Sequence, residues 1–147
     1  MIVESPYYEE INNNMVESVL VELSKVGATY ERFEVPGSFE LPGAIRFAIE
    51  SETVTPDRKK FDGYIALGCV IRGETSHYDY VCGESARGLN DLVLEHGIAL
   101  GYGILTTENR EQAIARSSRD QHDRGGAAAR ACLAMIKMKR EFNLHTR

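Results

Sequence analysis

The feature that most constrains the fold is a nearly continuous apolar run at residues 64–71, YIALGCVI, bounded by Gly63 and by an Arg72-Gly73 pair. Eight residues are too few to span a membrane and match the usual length of a strand. An unbroken apolar run, rather than an alternating one, predicts a strand that is covered on both faces, as in parallel sheets. We therefore expect residues 64–71 to form the central strand of the protein. A similar run at 98–106 predicts a second buried strand.

Between and around these strands, apolar residues recur at steps of three and four, which predicts amphipathic helices. Gly27 and Gly97 are placed as helix stops. Helices are predicted at 10–28, from 43 onwards, and at 78–96, 108–116 and 125–142. The second of these gives way to a predicted surface link at 51–60. A β-branched and aromatic stretch at 29–35 predicts a strand that Pro36 ends, and only Ile2 and Val3 remain for a first strand.

Strands that alternate with helices imply right-handed crossovers and helices on both faces of a parallel sheet. The sequence therefore predicts an α/β fold, a flavodoxin-like three-layer α/β/α sandwich with a mostly parallel four-stranded sheet. A chain of 147 residues predicts a single domain over 1–147.

Charge and cysteine content narrow the function and the compartment. The net charge is −5 and no long basic run occurs, which argues against nucleic-acid binding and favours a small-molecule partner. No leader-like or membrane-spanning segment is evident, so we expect a cytoplasmic protein. Cys69, Cys82 and Cys132 are odd in number and lack zinc-site spacing, which predicts buried free thiols without disulfides or a metal.

The predicted carboxyl ends of the strands carry three polar loops, at residues 35–40, 71–77 and 106–109, and ligands of parallel sheets bind at that edge. In the second loop, Gly73 permits close backbone approach, and Glu74, Thr75 and Ser76 precede a helix whose free N–H groups favour a phosphate. The alternative is that Thr75 or Ser76 serves only as a helix cap.

His77 follows this loop, and histidine suits proton transfer at neutral pH. A structural or solvated histidine is the alternative, and a metal site with Asp79 and Glu84 lacks any recognised spacing. In the first loop, Glu40 beside Phe39 could bind a polyol under a stacked heterocycle, although a solvated Glu near a core Phe would look the same. Arg116 and Arg124 could each close on a phosphate or simply face water.

Three long motifs occur in order, VPGSFELP at 35–42, LGCVIRGETSHYDYVCGESARGL at 67–89 and GILTTENREQAIARS at 103–117. With them the sequence resembles 6,7-dimethyl-8-ribityllumazine synthase over nearly its whole length. The resemblance implies a transferase of riboflavin biosynthesis that condenses 5-amino-6-(D-ribitylamino)uracil with 3,4-dihydroxy-2-butanone 4-phosphate, without metal or organic cofactor. It also implies a homopentamer with active sites between neighbouring subunits, and some family members form shells of sixty chains.

The resemblance assigns a role to each candidate residue. His77 would transfer protons. Tyr7, Phe39 and the backbone of Val70 and Ile71 would contact the pyrimidine, and Ser38 and Glu40 would belong to the segment that holds the ribityl chain and ring. The phosphate would bind at Gly73, Glu74, Thr75 and Ser76, with Arg116 as its countercharge. Tyr102 and Arg116 would come from the neighbouring subunit, and Arg124 falls where a basic Lys is common in the family.

Two departures from the family pattern stand out. Tyr7 and Tyr8 occupy the place of an aromatic-Asn pair, and SRDQHDRG replaces a Gly-rich turn that contains a lysine in shell-forming members, which favours a pentamer over a shell. An alternative function is a catalytically weak homologue that binds a lumazine or flavin. A flavodoxin-like signalling domain is a third possibility, but no acidic cluster with a phosphoacceptor Asp is evident.

Overall fold

The computed structural model describes residues 1–55 and 61–144. Its strands are β1 (Ile2–Glu4), β2 (Arg32–Glu34), β3 (Tyr64–Ile71) and β4 (Leu100–Thr107). They form one sheet of order β2-β1-β3-β4, and every pairing within it is parallel. The predicted α/β fold is confirmed, and β3 has the predicted bounds and lies between β1 and β4.

The helices of the described residues are α1 (Glu9–Lys25), α2 (Leu41–Val54), α3 (His77–His96), α4 (Arg110–Ser117) and α5 (Arg124–Glu141), with a short 3-10 helix at Ser38–Glu40 before α2. Helix α2 runs past the predicted start of the surface link, and Ser51 Oγ donates to the carbonyl of Ala48 there at 2.6 Å. The link prediction at 51–54 is therefore wrong, and residues 56–60 lie outside the described residues. Strand β2 is also shorter than predicted, because it has only the three residues of β1 to pair with.

The helices cover both faces of the sheet, which gives the predicted three layers. On one face, Ile11, Met15 and Val19 of α1 pack with Leu67 of β3 and the first half of α5. On the other face, Leu41 and Ile45 of α2 pack with Leu89 of α3 and Ile104 of β4. All of these side chains are buried, so the two apolar layers fix the sheet between the helices.

Two glycines allow α5 to approach its neighbours closely. A Cβ on Gly101 of β4 would lie 2.1 Å from the carbonyl oxygen of Ala128, and one on Gly125 would lie 2.3 Å from that of Met15. Backbone oxygens cannot move aside as a flexible side chain can, so these positions require glycine. Within the described residues, no helix is both long and apolar enough to span a bilayer.

Candidate active site

A cleft of about 430 Å³ opens at the carboxyl ends of β1 and β3. The chain leaves β1 in one direction along the sheet and β3 in the other, so the cleft lies at the switch point where parallel sheets bind ligands. Its volume is in the range of small-molecule sites. It is lined by Tyr7, Tyr8, Gly37, Ser38, Phe39, Glu40, Cys69, Val70, Ile71, His77 and Val81.

The floor of the cleft is an open edge of β3. Strand β1 ends at Glu4, opposite Leu67, whereas β3 continues to Ile71 along β4. Ile65 and Leu67 direct their backbone groups to β1, and Arg72 directs its N–H to Thr107 of β4, so backbone direction alternates along the strand. By this alternation, Cys69 and Ile71 present N–H and C=O groups to the open edge. These groups can bind the polar edge of a planar ligand.

The carboxyl-terminal end of β1 is fixed by the buried carboxylate of Glu4. Glu4 is fully buried, and its two oxygens accept hydrogen bonds from Arg32 Nε at 2.6 Å and Nη2 at 3.1 Å. Asn12 Nδ2 donates to the same carboxylate at 2.6 Å. This three-residue network joins β1, β2 and α1 directly below the loop with Tyr7 and Tyr8. Arg32 lies 28 residues from Glu4 in the sequence, and sequence analysis did not identify this network.

One wall of the cleft is the 3-10 helix at Ser38–Glu40, which packs onto β3 at a glycine. A Cβ on Gly68 would lie 2.4 Å from Ser38 Oγ. The Ser38 hydroxyl is buried and has no hydrogen-bond partner among the described residues, so a ligand hydroxyl or amide can bind there. Phe39 is 55% exposed, and its neighbour in sequence, Glu40, is also exposed.

The opposite wall is aromatic. Tyr7 is 72% exposed and meets the ring of Tyr8 edge to face, with centroids 5.0 Å apart. Tyr8 is half-buried, and burial raises the pKa of its hydroxyl, followed in importance by the neighbouring Cys69. Tyr8 therefore stays neutral and supports the exposed ring of Tyr7, which is available to stack on a flat ligand.

The predicted phosphate turn, Gly73–Ser76, is exposed and leads directly into α3. Ser76 occupies the N-cap position, but its side chain makes no capping hydrogen bond. The His77 N–H instead donates to Thr75 Oγ1 at 3.3 Å. Ser76 therefore does not cap α3, and Thr75 satisfies one N–H at the start of the helix. His77 is the first residue of α3 and lines the cleft, so it stands between the turn and the aromatic walls.

The carboxylates of the alternative metal site are engaged elsewhere. Asp79 pairs with Arg72 at 3.1 Å, and Glu84 pairs with Arg87 at 2.7 Å. No group of three or more His, Cys, Asp and Glu side chains suited to a metal ion occurs among residues 1–55 and 61–144.

Seven of the predicted site residues do not line this cleft of the single chain, namely Gly73, Glu74, Thr75, Ser76, Tyr102, Arg116 and Arg124. Tyr102 lies in the middle of β4, on the face that α3 covers, and is 43% exposed. Arg116 lies in the last turn of α4, and its Nη1 donates to the carbonyl of Gln112 at 3.3 Å. Arg124 is the first residue of α5, and its side chain is exposed.

All three cysteines are free, as predicted. Cys69 and Cys132 are buried, whereas Cys82 is half-buried. Burial raises the pKa of the Cys69 thiol to about 12. Although Cys69 lines the cleft, its thiol is protonated at neutral pH and is a poor nucleophile.

Sequence analysis missed four residues of the lining, namely Tyr8, Gly37, Cys69 and Val81. Cys69 and Val81 looked like ordinary core residues because their side chains are apolar. The signal available for Cys69 was its place two residues before Ile71, since alternate residues of a strand direct their backbone to the same side.

Comparison with known proteins gives a consistent result. A family model described as 6,7-dimethyl-8-ribityllumazine synthase matches residues 1–140. Among curated proteins, 6,7-dimethyl-8-ribityllumazine synthase 1 of Rhizobium meliloti is 46% identical over 142 residues, which cover 97% of this chain and 92% of that protein. The 6,7-dimethyl-8-ribityllumazine synthases of Agrobacterium fabrum and Bartonella henselae are 45% and 44% identical over the same share of this chain, and the matches cover 95% and 88% of their lengths.

Proposed function

The chain belongs to the 6,7-dimethyl-8-ribityllumazine synthase family, and from that premise we propose how its cleft performs the reaction. The enzyme is a transferase of riboflavin biosynthesis. It condenses 5-amino-6-(D-ribitylamino)uracil with 3,4-dihydroxy-2-butanone 4-phosphate to 6,7-dimethyl-8-ribityllumazine and releases phosphate and water. Nothing in the comparisons favours the alternative of a weak lumazine- or flavin-binding homologue.

The pyrimidine binds between the aromatic walls. Its flat ring stacks against Tyr7 and Phe39, whose faces are exposed to the cleft. Its polar edge meets the open backbone of β3 at Cys69 and Ile71, whereas the backbone of Val70 is directed to β4. The ribityl hydroxyls donate to the Glu40 carboxylate and bond with the unpartnered Ser38 hydroxyl.

The phosphate of the second substrate binds at the turn Gly73–Ser76, at the positive end of the α3 dipole. Arg116 of a neighbouring subunit supplies the countercharge, with Arg124 and the neighbour's Tyr102 nearby. The observation that supports this arrangement best is the position of His77, which both lines the cleft and follows the turn directly. It is therefore within reach of atoms between the two substrates.

The chemistry requires orientation and proton transfer more than a strong nucleophile. The ring amine adds to the ketone to form an imine with loss of water, phosphate then leaves, and the resulting enol tautomerises before ring closure with loss of water. Holding two substrates together contributes several kcal/mol, on the order of 7 or more in well-oriented cases. His77 moves protons during these steps, which adds roughly 10² to 10⁴ in rate.

The proposed shared site requires an oligomer, and from the family resemblance we propose a homopentamer. Phe47, Tyr80 and Leu94 on α2 and α3 are 71%, 68% and 75% exposed, and large apolar side chains on adjacent helices are typical of subunit interfaces. The chain is one domain over 1–147 that works in the cytoplasm, and the small-molecule substrates are its ligands, with no nucleic acid or membrane partner.

Two measurements test this function. Mixing both substrates with the protein should produce the absorbance of the lumazine, and omission of the phosphoketone should abolish it. Light scattering should give the mass of five chains. A protein that binds the lumazine but does not form it would be the alternative homologue, and a fully active monomer would disprove the shared site.

A further inference from the structure

We propose that Arg72 is a positioning residue that holds the phosphate turn in its binding shape. The inference rests on the proposed function, because it concerns the same turn at Gly73–Ser76. Arg72 is the residue before the turn, and its guanidinium reaches the far end of the turn. There, Nη2 lies 3.1 Å from Asp79 Oδ1, and Nη1 lies 3.4 Å from Asp79 Oδ2.

The same guanidinium has two further contacts. Its Nε donates to Glu108 Oε2 at 2.8 Å, just beyond β4. Its central carbon lies 4.1 Å from the centre of the Tyr78 ring, a cation–π geometry. Backbone contacts complete the arrangement, because Arg72 N donates to the carbonyl of Thr107 and Asp79 N to that of Ser76. One side chain thus joins the ends of β3 and β4 to the first turn of α3.

The turn itself has little else to order it. All four of its residues are exposed, and Gly73 adds conformational freedom. Within the described residues, the side-chain hydrogen bond of the turn is that of Thr75, at 3.3 Å. A phosphate bound by backbone N–H groups requires those groups to converge before binding. The contacts of Arg72 supply that order.

Arg72 acts through carboxylates and not as a ligand of the phosphate. Its guanidinium nitrogens are already paired with the carboxylates of Asp79 and Glu108. Tyr78, under the guanidinium, is adjacent to His77, so the same contacts fix the rotation of the first turn of α3. Loss of Arg72 should therefore weaken phosphate binding more than it lowers turnover.

The test uses Arg72→Gln, Arg72→Lys and Asp79→Asn, with Arg87→Gln as a matched control. Arg87 also joins two carboxylates on α3, Glu84 and Asp91, but lies away from the turn. Hydrogen exchange of residues 72–79 in ligand-free protein reports the order of the turn. KM for each substrate, and the dissociation constant of inorganic phosphate from titration followed by phosphorus NMR, report its function.

We expect Arg72→Gln to raise KM for the phosphoketone and the phosphate dissociation constant about three- to fivefold, with KM for the pyrimidine changed less than about twofold. Exchange at 72–79 should accelerate in Arg72→Gln and Asp79→Asn, less in Arg72→Lys, and not in Arg87→Gln. Weaker phosphate binding with unchanged exchange would make Arg72 a direct ligand and overturn the proposal, as would faster exchange with unchanged binding. Absence of lumazine formation by the unmodified protein would instead refute the proposed function, and the exchange and phosphate titrations would still test Arg72.

Discussion

Replacement of Arg32 by Met should destabilise the protein, because it leaves the Glu4 carboxylate buried without its cation. Glu4 is 0% exposed, while the Arg32 side chain is 41% exposed. Removal of one partner from a fully buried pair costs about 3–5 kcal/mol. Water reaches the Arg32 side of this pair and screens it, so we expect a smaller loss of about 2 kcal/mol.

Urea unfolding followed by circular dichroism measures this loss, at one fixed protein concentration because assembly contributes to stability. With a slope of about 2 kcal/mol per M, the midpoint should fall by about 1 M. Arg87→Met is the matched control, since Arg87, Glu84 and Asp91 are 62%, 46% and 45% exposed. We expect no resolvable shift of the midpoint in that variant.

A double-mutant cycle separates the pair from its surroundings. Glu4→Gln removes the charge that needs a partner, so the double variant Glu4→Gln/Arg32→Met should lose less stability than the two single variants together, by about 1 kcal/mol. A midpoint of Arg32→Met equal to that of the unmodified protein, or losses that simply add, would refute the argument that the buried carboxylate depends on this arginine.

Three further predictions concern the cleft. His77→Ala should lower kcat by about 10² or more without abolishing turnover, because orientation of the substrates persists; complete inactivity of a folded variant, in a steady-state assay, would contradict this. Gly68→Ala should displace Ser38 from β3. The free energy of unfolding in urea should then fall by about 1–3 kcal/mol, and KM for the pyrimidine should rise. Unchanged values of both quantities would show that the contact is adaptable. With a pKa of about 12, the Cys69 thiol is almost entirely protonated at pH 8. Mass spectrometry should therefore find Cys69 unalkylated by iodoacetamide in the native protein and alkylated in urea.

The sequence predicted strand β3 and the end of helix α3 well because their signals are local. The apolar run at 64–71 became β3 with those bounds, and Gly97 ends α3 in the left-handed conformation that glycine favours. The edge strand was over-predicted at 29–35. Its pairing is set by the length of β1, which lies 30 residues away, and propensity alone cannot report that length.

For the site, the sequence located the loops and His77, because unusual residues cluster after the strands. The sequence could not show that β3 extends beyond the end of β1. This difference in length leaves the backbone of Cys69 and Ile71 open. Nor could the sequence pair Glu4 with Arg32, since a contact across 28 residues leaves no periodic signal. Tyr102, and the expectation that Arg116 comes from a neighbouring subunit, were assigned only through the family resemblance.

Strand β1 has a consequence for the order in which the molecule forms during synthesis. It is made before the other three strands, yet it lies inside the sheet, and its neighbour Ile65 is made long after Ile2. At 5–20 residues per second, the partner of Ile2 leaves the ribosome roughly 3–12 s later. During that interval β2 is the only strand of the sheet with which β1 can pair. The apolar residues of β1 must therefore stay accessible until β3 has been synthesised.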